Sequence, residues 1–256
     1  MRLLLTNDDG LSAPGLLALA EVLSQRHELI IVAPEVEQSA VGHAITIAEP
    51  IKVRRIESAQ GQRVFAVRGT PADCVKLAYW ELLAESRPEA VVSGINRGAN
   101  VGLNVLYSGT VSAATEAALL GLAGLAFSLD TLDPQADYFP AARLAGQLTD
   151  LLLGQSLEPG QVFNVNIPHR PDLSLSLCRV TRQGLVCPDE EFIARRDPRG
   201  NLYFWQADEK LARPLDPLSD QAALAEGFVS ITPIKFDLTD HQAIKNLAQR
   251  FGLAKE

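Results

Sequence analysis

Two adjacent carboxylates, Asp8 and Asp9, close the segment Leu3-Leu4-Leu5-Thr6-Asn7-Asp8-Asp9-Gly10 directly after a run of leucines. Carboxylates with an ordinary pKa of about 3.9 are ionised at neutral pH and bind a hard divalent cation through oxygen. Taken alone, Asp-Asp-Gly is equally the composition of an Asx-type turn. Two more polar segments follow apolar runs in the same manner: Glu35-Val36-Glu37-Gln38-Ser39 and Ser93-Gly94-Ile95-Asn96. Asp8, Asp9, Ser39 and Asn96 together offer only oxygen, a donor set that suits magnesium, manganese or calcium and poorly suits zinc. Singly, Ser39 also reads as a helix cap or loop hydroxyl, and Asn96 as a residue that tolerates a left-handed backbone before glycines.

The glycines at 94, 98 and 102 are spaced four apart, which is not the G-x-G-x-x-G of a dinucleotide site. They instead allow backbone N–H groups to approach an oxyanion. Tyr107-Ser108-Gly109-Thr110 then precedes an alanine-rich helical stretch, and the free N–H groups of a first helical turn, with the Ser108 and Thr110 hydroxyls, form a phosphate-binding arrangement. Taken alone, either hydroxyl reads first as a plain N-cap. His43, four residues past Ser39, has two open roles: proton donor to a leaving oxygen, or an ordinary loop hydrogen bond.

Positioning these residues requires strands that deliver polar loops to one edge. Leu3 to Thr6, Leu29 to Ala33, Val64 to Val67, Ala90 to Ser93, Leu125 to Ser128 and Val162 to Ile167 read as strands. Between them, Pro14 to Gln25, Ala72 to Leu83, Val111 to Leu120 and Ala141 to Leu153 carry helical apolar spacing. Alternation of this kind predicts an α/β fold with a Rossmann-like, doubly wound, mostly parallel sheet, whose ligands bind at the carboxyl ends of its strands.

After residue 177 the pattern changes. Asp197-Pro198-Arg199-Gly200-Asn201 between apolar and aromatic runs predicts a hairpin arm over Glu191 to Trp205. Such an arm is long enough to reach another subunit. Phe228 to Ile234 reads as a returning strand, and Thr239 or Asp240 caps a final helix with Ala243, Ile244, Leu247, Ala248 and Phe251 on one face. The division expected is a catalytic core over 1–177 and an oligomerisation region over 178–256, together one structural domain.

The chain has 256 residues, 47% hydrophobic and 21% charged, the composition of a globular protein with a sizeable core. A net charge of -8 argues against a nucleic-acid polymer as partner, which needs surplus Lys and Arg to displace counterions. Three cysteines, Cys74, Cys178 and Cys187, match no zinc or disulfide framework. With no signal-peptide pattern and no apolar stretch of membrane-spanning length, the reading is a cytoplasmic protein without a membrane partner.

Asn7-Asp8-Asp9-Gly10, Ser93-Gly94-Ile95-Asn96, Tyr107-Ser108-Gly109-Thr110-Val111 and Gly227-Phe228-Val229-Ser230-Ile231-Thr232-Pro233 resemble signature segments of the SurE (stationary-phase survival) family. Gln38-Ser39-Ala40, Arg68-Gly69-Thr70-Pro71-Ala72-Asp73, Asn164-Val165-Asn166-Ile167-Pro168 and Asp197-Pro198-Arg199-Gly200 extend the likeness nearly end to end. The resemblance implies a metal-dependent phosphatase acting on nucleoside 5'-monophosphates, often also 3'-monophosphates and short polyphosphate. It implies one divalent ion per subunit, magnesium or manganese, held by Asp8, Asp9, Ser39 and Asn96. It assigns substrate contact to Asn100, Ser108, Gly109 and Thr110, catalysis to Asp8 and Asp9, and a homodimer or homotetramer with exchanged C-terminal elements.

On that resemblance a metal-activated water attacks phosphorus in line, or Asp8 or Asp9 attacks as a nucleophile. A reading from another class is a noncatalytic nucleotide- or metal-binding module. The chain departs from the family where Pro217-Leu218-Ser219-Asp220 replaces a glycine-rich stretch with Gly-Thr-Asp, and where Phe228 replaces a tyrosine.

Overall fold

Alternate leucines of the first strand, β1 (Arg2–Thr6), enter different cores. Leu3 and Leu5 pack with Leu16 and Leu19 of α1 (Pro14–Leu23) and with Leu144 and Leu148 of α4 (Phe139–Leu153). Leu4 packs with Cys74 and Val75 of α2 (Pro71–Leu77) and with Ala113 and Ala117 of α3 (Gly109–Leu119). A strand buried on both faces needs no polar alternation, which is why its sequence reads as an unbroken apolar run. The computed structural model describes residues 1–58, 61–154, 160–186, 191–207 and 214–253, so Cys187 lies outside the described residues.

The remaining strands are β2 (Glu28–Pro34), β3 (Lys52–Ile56), β4 (Arg63–Arg68), β5 (Ala90–Arg97), β6 (Ala123–Asp130), β7 (Val162–Pro168), β8 (Cys178–Val180), β9 (Phe192–Arg196), β10 (Leu202–Gln206) and β11 (Val229–Ile234). Nine of the strands form one sheet in the order β3-β4-β2-β1-β5-β6-β7-β11-β8. From β4 to β7 every pairing is parallel. Strands β3 and β11 add antiparallel, and β8 adds parallel to β11. The expected doubly wound, mostly parallel sheet is therefore what the chain forms. The winding reverses between β1 and β5, and the crevice at the carboxyl ends of those two strands is where such sheets bind ligands.

The structure differs from the sequence reading in several places. β3 was not expected; its residues are exposed apart from half-buried Ile56, so its sequence carries little burial pattern. β5 does not end at Ser93 but shifts register between Ser93 and Asn96 and runs on to Arg97, so Asn96 sits on the strand beyond an irregularity rather than in a loop. α2 is α-helical only to Leu77 and widens into a π turn over Ala78–Leu82. Beyond residue 177, β8 and β11 complete the main sheet while β9 and β10, among the described residues, pair only with each other. A short helix, α5 (Asp220–Ala225), precedes β11, and α6 (His241–Arg250) is capped by Asp240, which accepts from the Gln242 and Ala243 N–H groups. No helix among the described residues is long and apolar enough to cross a membrane.

Candidate active site

The turn after β1 carries both carboxylates into the crevice. The Asn7 side-chain amide donates to the Gly10 carbonyl at 2.9 Å and closes the turn. Asp8 is 5% exposed, and its Oδ1 accepts a hydrogen bond from the Thr110 hydroxyl in the first turn of α3. Gly109 lies so close that an added Cβ would stand 2.8 Å from Asp8 Cβ and 2.9 Å from its Oδ2. Burial pushes the Asp8 carboxyl above its usual range, opposed by the Thr110 hydroxyl and by the N–H groups of Asp8, Thr110 and Gly109. The start of α3 thus already points its donors at an anion, and that anion is Asp8.

Asp9 faces the other way, toward α1. Its Oδ2 accepts from the Arg97 backbone N–H at 3.0 Å. Burial pushes its carboxyl up to about 6; the charges of Asp8 and Glu37 add to this, and the Arg97 N–H and guanidinium oppose it. A cavity of about 200 Å³ opens beside it, lined by Ser12, Glu37, Arg97, Pro134 and Tyr138 among others. Burial raises the Tyr138 hydroxyl as well, reinforced by the Asp9 charge.

Ser39 and Asn96 flank this pair through their neighbours. The Gln38 N–H donates to the Asp8 carbonyl at 2.7 Å, fixing Ser39 next to it in the chain, while the exposed Ser39 hydroxyl donates to Glu37 Oε1 at 2.5 Å. Asn96 immediately precedes Arg97; its Nδ2 donates to the Gly98 carbonyl at 2.8 Å, and its Oδ1 accepts no hydrogen bond among the described residues. Two partly or wholly buried carboxylates on one turn, neither hydrogen-bonded by a Lys or Arg side chain among the described residues, leave negative charge uncompensated. A divalent cation is the charge that balances them, and the available donors are all oxygens. Among the described residues, no group of three or more His, Cys, Asp or Glu side chains is arranged to hold a metal ion by itself. The Ser39 hydroxyl and Asn96 amide add neutral oxygen donors beside this pair, and the residues fit a hard cation.

The phosphate-side residues divide. Ser108 caps α3, accepting from the Val111 N–H at 3.1 Å, and is nearly buried. Asn100 is turned into an amide network instead: its N–H donates to Asn166 Oδ1 at 2.7 Å, its Nδ2 to the Ser128 hydroxyl at 2.8 Å, and its carbonyl accepts from Asn164 and Asn166. Three groups were missed by sequence reasoning. Arg97, between Asn96 and Gly98, had been given no role. Asn164 and Asn166, two apart on a strand otherwise apolar at its centre, gave a period-two signal that the family motif already contained. Asp220, in the segment where the chain departs from the family pattern, is fully buried and accepts from the Gly102, Gly184 and Gln221 N–H groups at 2.9, 2.8 and 2.8 Å.

Comparison with known proteins gives a consistent set of similarities. The family model described as "Survival protein SurE" matches residues 3–188. The chain is 45% identical over 249 residues to a protein named "5'-nucleotidase SurE" from Syntrophobacter fumaroxidans, covering 97% of this chain and 99% of that one. It is 49% identical over 248 residues to the protein of the same name from Syntrophus aciditrophicus, covering 96% and 92%. The crystal structure of the SurE protein from Aquifex aeolicus superposes with a TM-score of 0.83 at 35% identity, covering 98% of this chain and all of that one.

Proposed function

This chain belongs to the survival protein SurE family, and we propose that it is a divalent-metal-dependent nucleotidase that hydrolyses nucleoside 5'-monophosphates to nucleoside and phosphate. The observation that carries the reading is the meeting of a paired carboxylate turn with the start of α3 at the point where the sheet's winding reverses.

The site residues take the following roles on this reading. Asp8, Asp9, Ser39 and Asn96 hold one magnesium or manganese ion per subunit. A divalent cation at these oxygens supplies neutralisation of phosphoryl charge. Thr110 fixes Asp8 through its hydroxyl, and Gly109 permits the helix start to approach that carboxylate without a side chain between them. Ser108 accepts a hydrogen bond at its oxygen and so retains a hydroxyl proton to donate to a phosphoryl oxygen. Asn100, whose backbone N–H is given to Asn166 and whose Nδ2 gives one hydrogen to Ser128, holds the loop after β5 on the ends of β6 and β7 and keeps one side-chain N–H for a phosphoryl contact. Phosphoryl transfer gains chiefly from positioning and charge stabilisation, which is what these groups provide.

Nucleoside 3'-monophosphates and short polyphosphate are further substrates on this reading, and the protein acts in the cytoplasm as a homodimer or homotetramer with the region 178–256 at its contacts. Phosphate release from a panel of nucleoside 5'- and 3'-monophosphates with magnesium, manganese or EDTA tests the proposal. Metal-dependent release that Asp9→Asn abolishes supports it. No release with any metal, while manganese still binds, makes the protein a binding module instead.

A further inference from the structure

Glu116 lies on α3 with its side chain 4% exposed, yet nothing in the proposed chemistry uses it. Burial alone would push its carboxyl up, but the hydrogen bond from His43 and the Lys76 charge more than offset this and hold it below the usual range. His43 Nε2 lies 2.8 Å from Glu116 Oε2, and Lys76 Nζ lies 3.3 Å from Oε1. Ser108, at the helix start, is eight residues earlier, so Glu116 stands about two turns, roughly 12 Å, down the helix axis. The imidazole is committed to that carboxylate through Nε2.

His43 belongs to the segment that carries Ser39. That segment is held at its beginning by the Gln38 N–H on the Asp8 carbonyl at 2.7 Å and farther on by the Gly42 N–H on the Tyr107 carbonyl at 2.9 Å. Gly42 has φ of +57°, and an added Cβ would meet the Leu106 carbonyl at 3.2 Å, so the backbone there lies directly against the turn before α3. Past it, Thr70 Oγ1 donates to the Ala44 carbonyl at 2.8 Å and the Thr46 hydroxyl to Asp73 at 2.6 Å. Beyond Ser39, His43 is the first side chain in the segment anchored to a buried charge.

We propose that His43 is a positioning residue: its contact with the buried Glu116, itself braced by Lys76, latches the Ser39–His43 segment onto α3 and so sets where Ser39 stands relative to Asp8. The inference rests on the assignment of Ser39 to the metal site. A residue that orients a metal ligand from behind typically costs 10- to 100-fold in affinity when lost.

The test compares wild type, His43→Ala, His43→Gln and Ser39→Ala in the full chain. Manganese affinity is read from the paramagnetic resonance of the free ion, and backbone mobility from amide hydrogen exchange over residues 38–46. His43→Ala is expected to weaken manganese about tenfold and to accelerate exchange across the segment. His43→Gln, which keeps an N–H for Glu116, is expected to restore both. Unchanged exchange in His43→Ala overturns the latch. Faster exchange with unchanged affinity overturns the positioning role, and Ser39→Ala then separates the causes: unchanged affinity there removes Ser39 from the metal site itself. A kcat loss that His43→Gln does not restore, with normal affinity and exchange, would make His43 a proton donor instead.

Discussion

The backbone N–H of Arg97 donates to Oδ2 of Asp9 at 3.0 Å, joining the turn after β1 to the far end of β5. It is the only hydrogen bond the Asp9 carboxylate receives among the described residues. The register shift between Ser93 and Asn96 is what brings that N–H into reach, because a strand ending at Ser93 would leave Asp9 without it. One neutral donor and a partly exposed guanidinium do not cancel the burial and the neighbouring carboxylates, so the site holds a carboxyl poised near pH 6 until a cation binds.

Metal-free protein should therefore lose stability as the pH rises. The folded-state pKa of Asp9 is raised from 3.8 to about 6, so folding favours its protonated form. That contribution is complete below about pH 4 and disappears as the pH passes through about 6. Discounted for partial exposure, the effect is about 1 kcal/mol. Urea unfolding in EDTA from pH 4 to 8 should show this slope in wild type and a flatter one in Asp9→Asn. Manganese should stabilise wild type more at pH 7 than at pH 5, since at pH 5 it must displace the proton. Equal slopes for the two proteins would mean that Asp9 is not the group responsible.

Gly109→Ala should cripple the site while leaving the fold. Its Cβ would press on the Asp8 side chain at 2.8 Å, and the displaced carboxylate would lose both its helix-start donors and its place beside Asp9. A fall in kcat/KM of about 30-fold or more is expected, within the range for disturbing an outer partner of a metal ligand, with a change in melting temperature of only a few degrees. Thr110→Val should lower manganese affinity by about tenfold and Thr110→Ser should largely retain it, because the hydroxyl on Asp8 is what matters. Equal affinities for the Val and Ser variants would rule that out.

The central strands were legible because burial on both faces writes itself as continuous apolar runs, as in Leu3-Leu4-Leu5 and Leu29 to Ala33. β3 was not, because an exposed antiparallel edge strand such as Lys-Val-Arg-Arg-Ile has little to bury and its identity comes from pairing with β4. The four oxygens were nominated by their place after strands and by the family resemblance. What holds them was not readable: Thr110 on Asp8, Arg97 on Asp9 and Glu116 behind His43 are contacts between segments far apart in the chain. Sequence spacing carries no distance across a sheet. The bond from Asn100 Nδ2 to the Ser128 hydroxyl is a further contact of this kind, between residues 28 positions apart.

The hairpin of β9 and β10 should mediate assembly. Phe192, Tyr203, Phe204 and Trp205 are 58%, 41%, 57% and 65% exposed, and the hairpin pairs with no other strand among the described residues. A lone two-stranded hairpin is marginal in water, and aromatic surface of this kind is stabilised by burial against a partner. Replacing residues 191–207 with a short flexible linker should lower the mass measured by light scattering. An unchanged mass would place the subunit contacts elsewhere.

Asp220→Asn should show that the C-terminal segment shapes the site from outside it. Two backbone N–H groups, of Gly184 and Gln221, converge on Oδ1 and that of Gly102 on Oδ2, so a fully buried carboxylate pins the loop between Asn100 and Ser108 to α5. Asparagine has one acceptor oxygen and must turn its NH2 toward at least one of those donors. Leaving a buried donor unpaired, with the charge-assisted bonds lost, costs about 2 kcal/mol. The loop loosened by the change leads into Tyr107 and Ser108, so kcat/KM should fall together with stability while manganese affinity, set by Asp8 and Asp9 across the crevice, changes by less than about twofold. A variant that destabilises without altering kcat/KM would show that Asp220 only staples the fold, and one that releases manganese would show that this loop reaches the metal side as well.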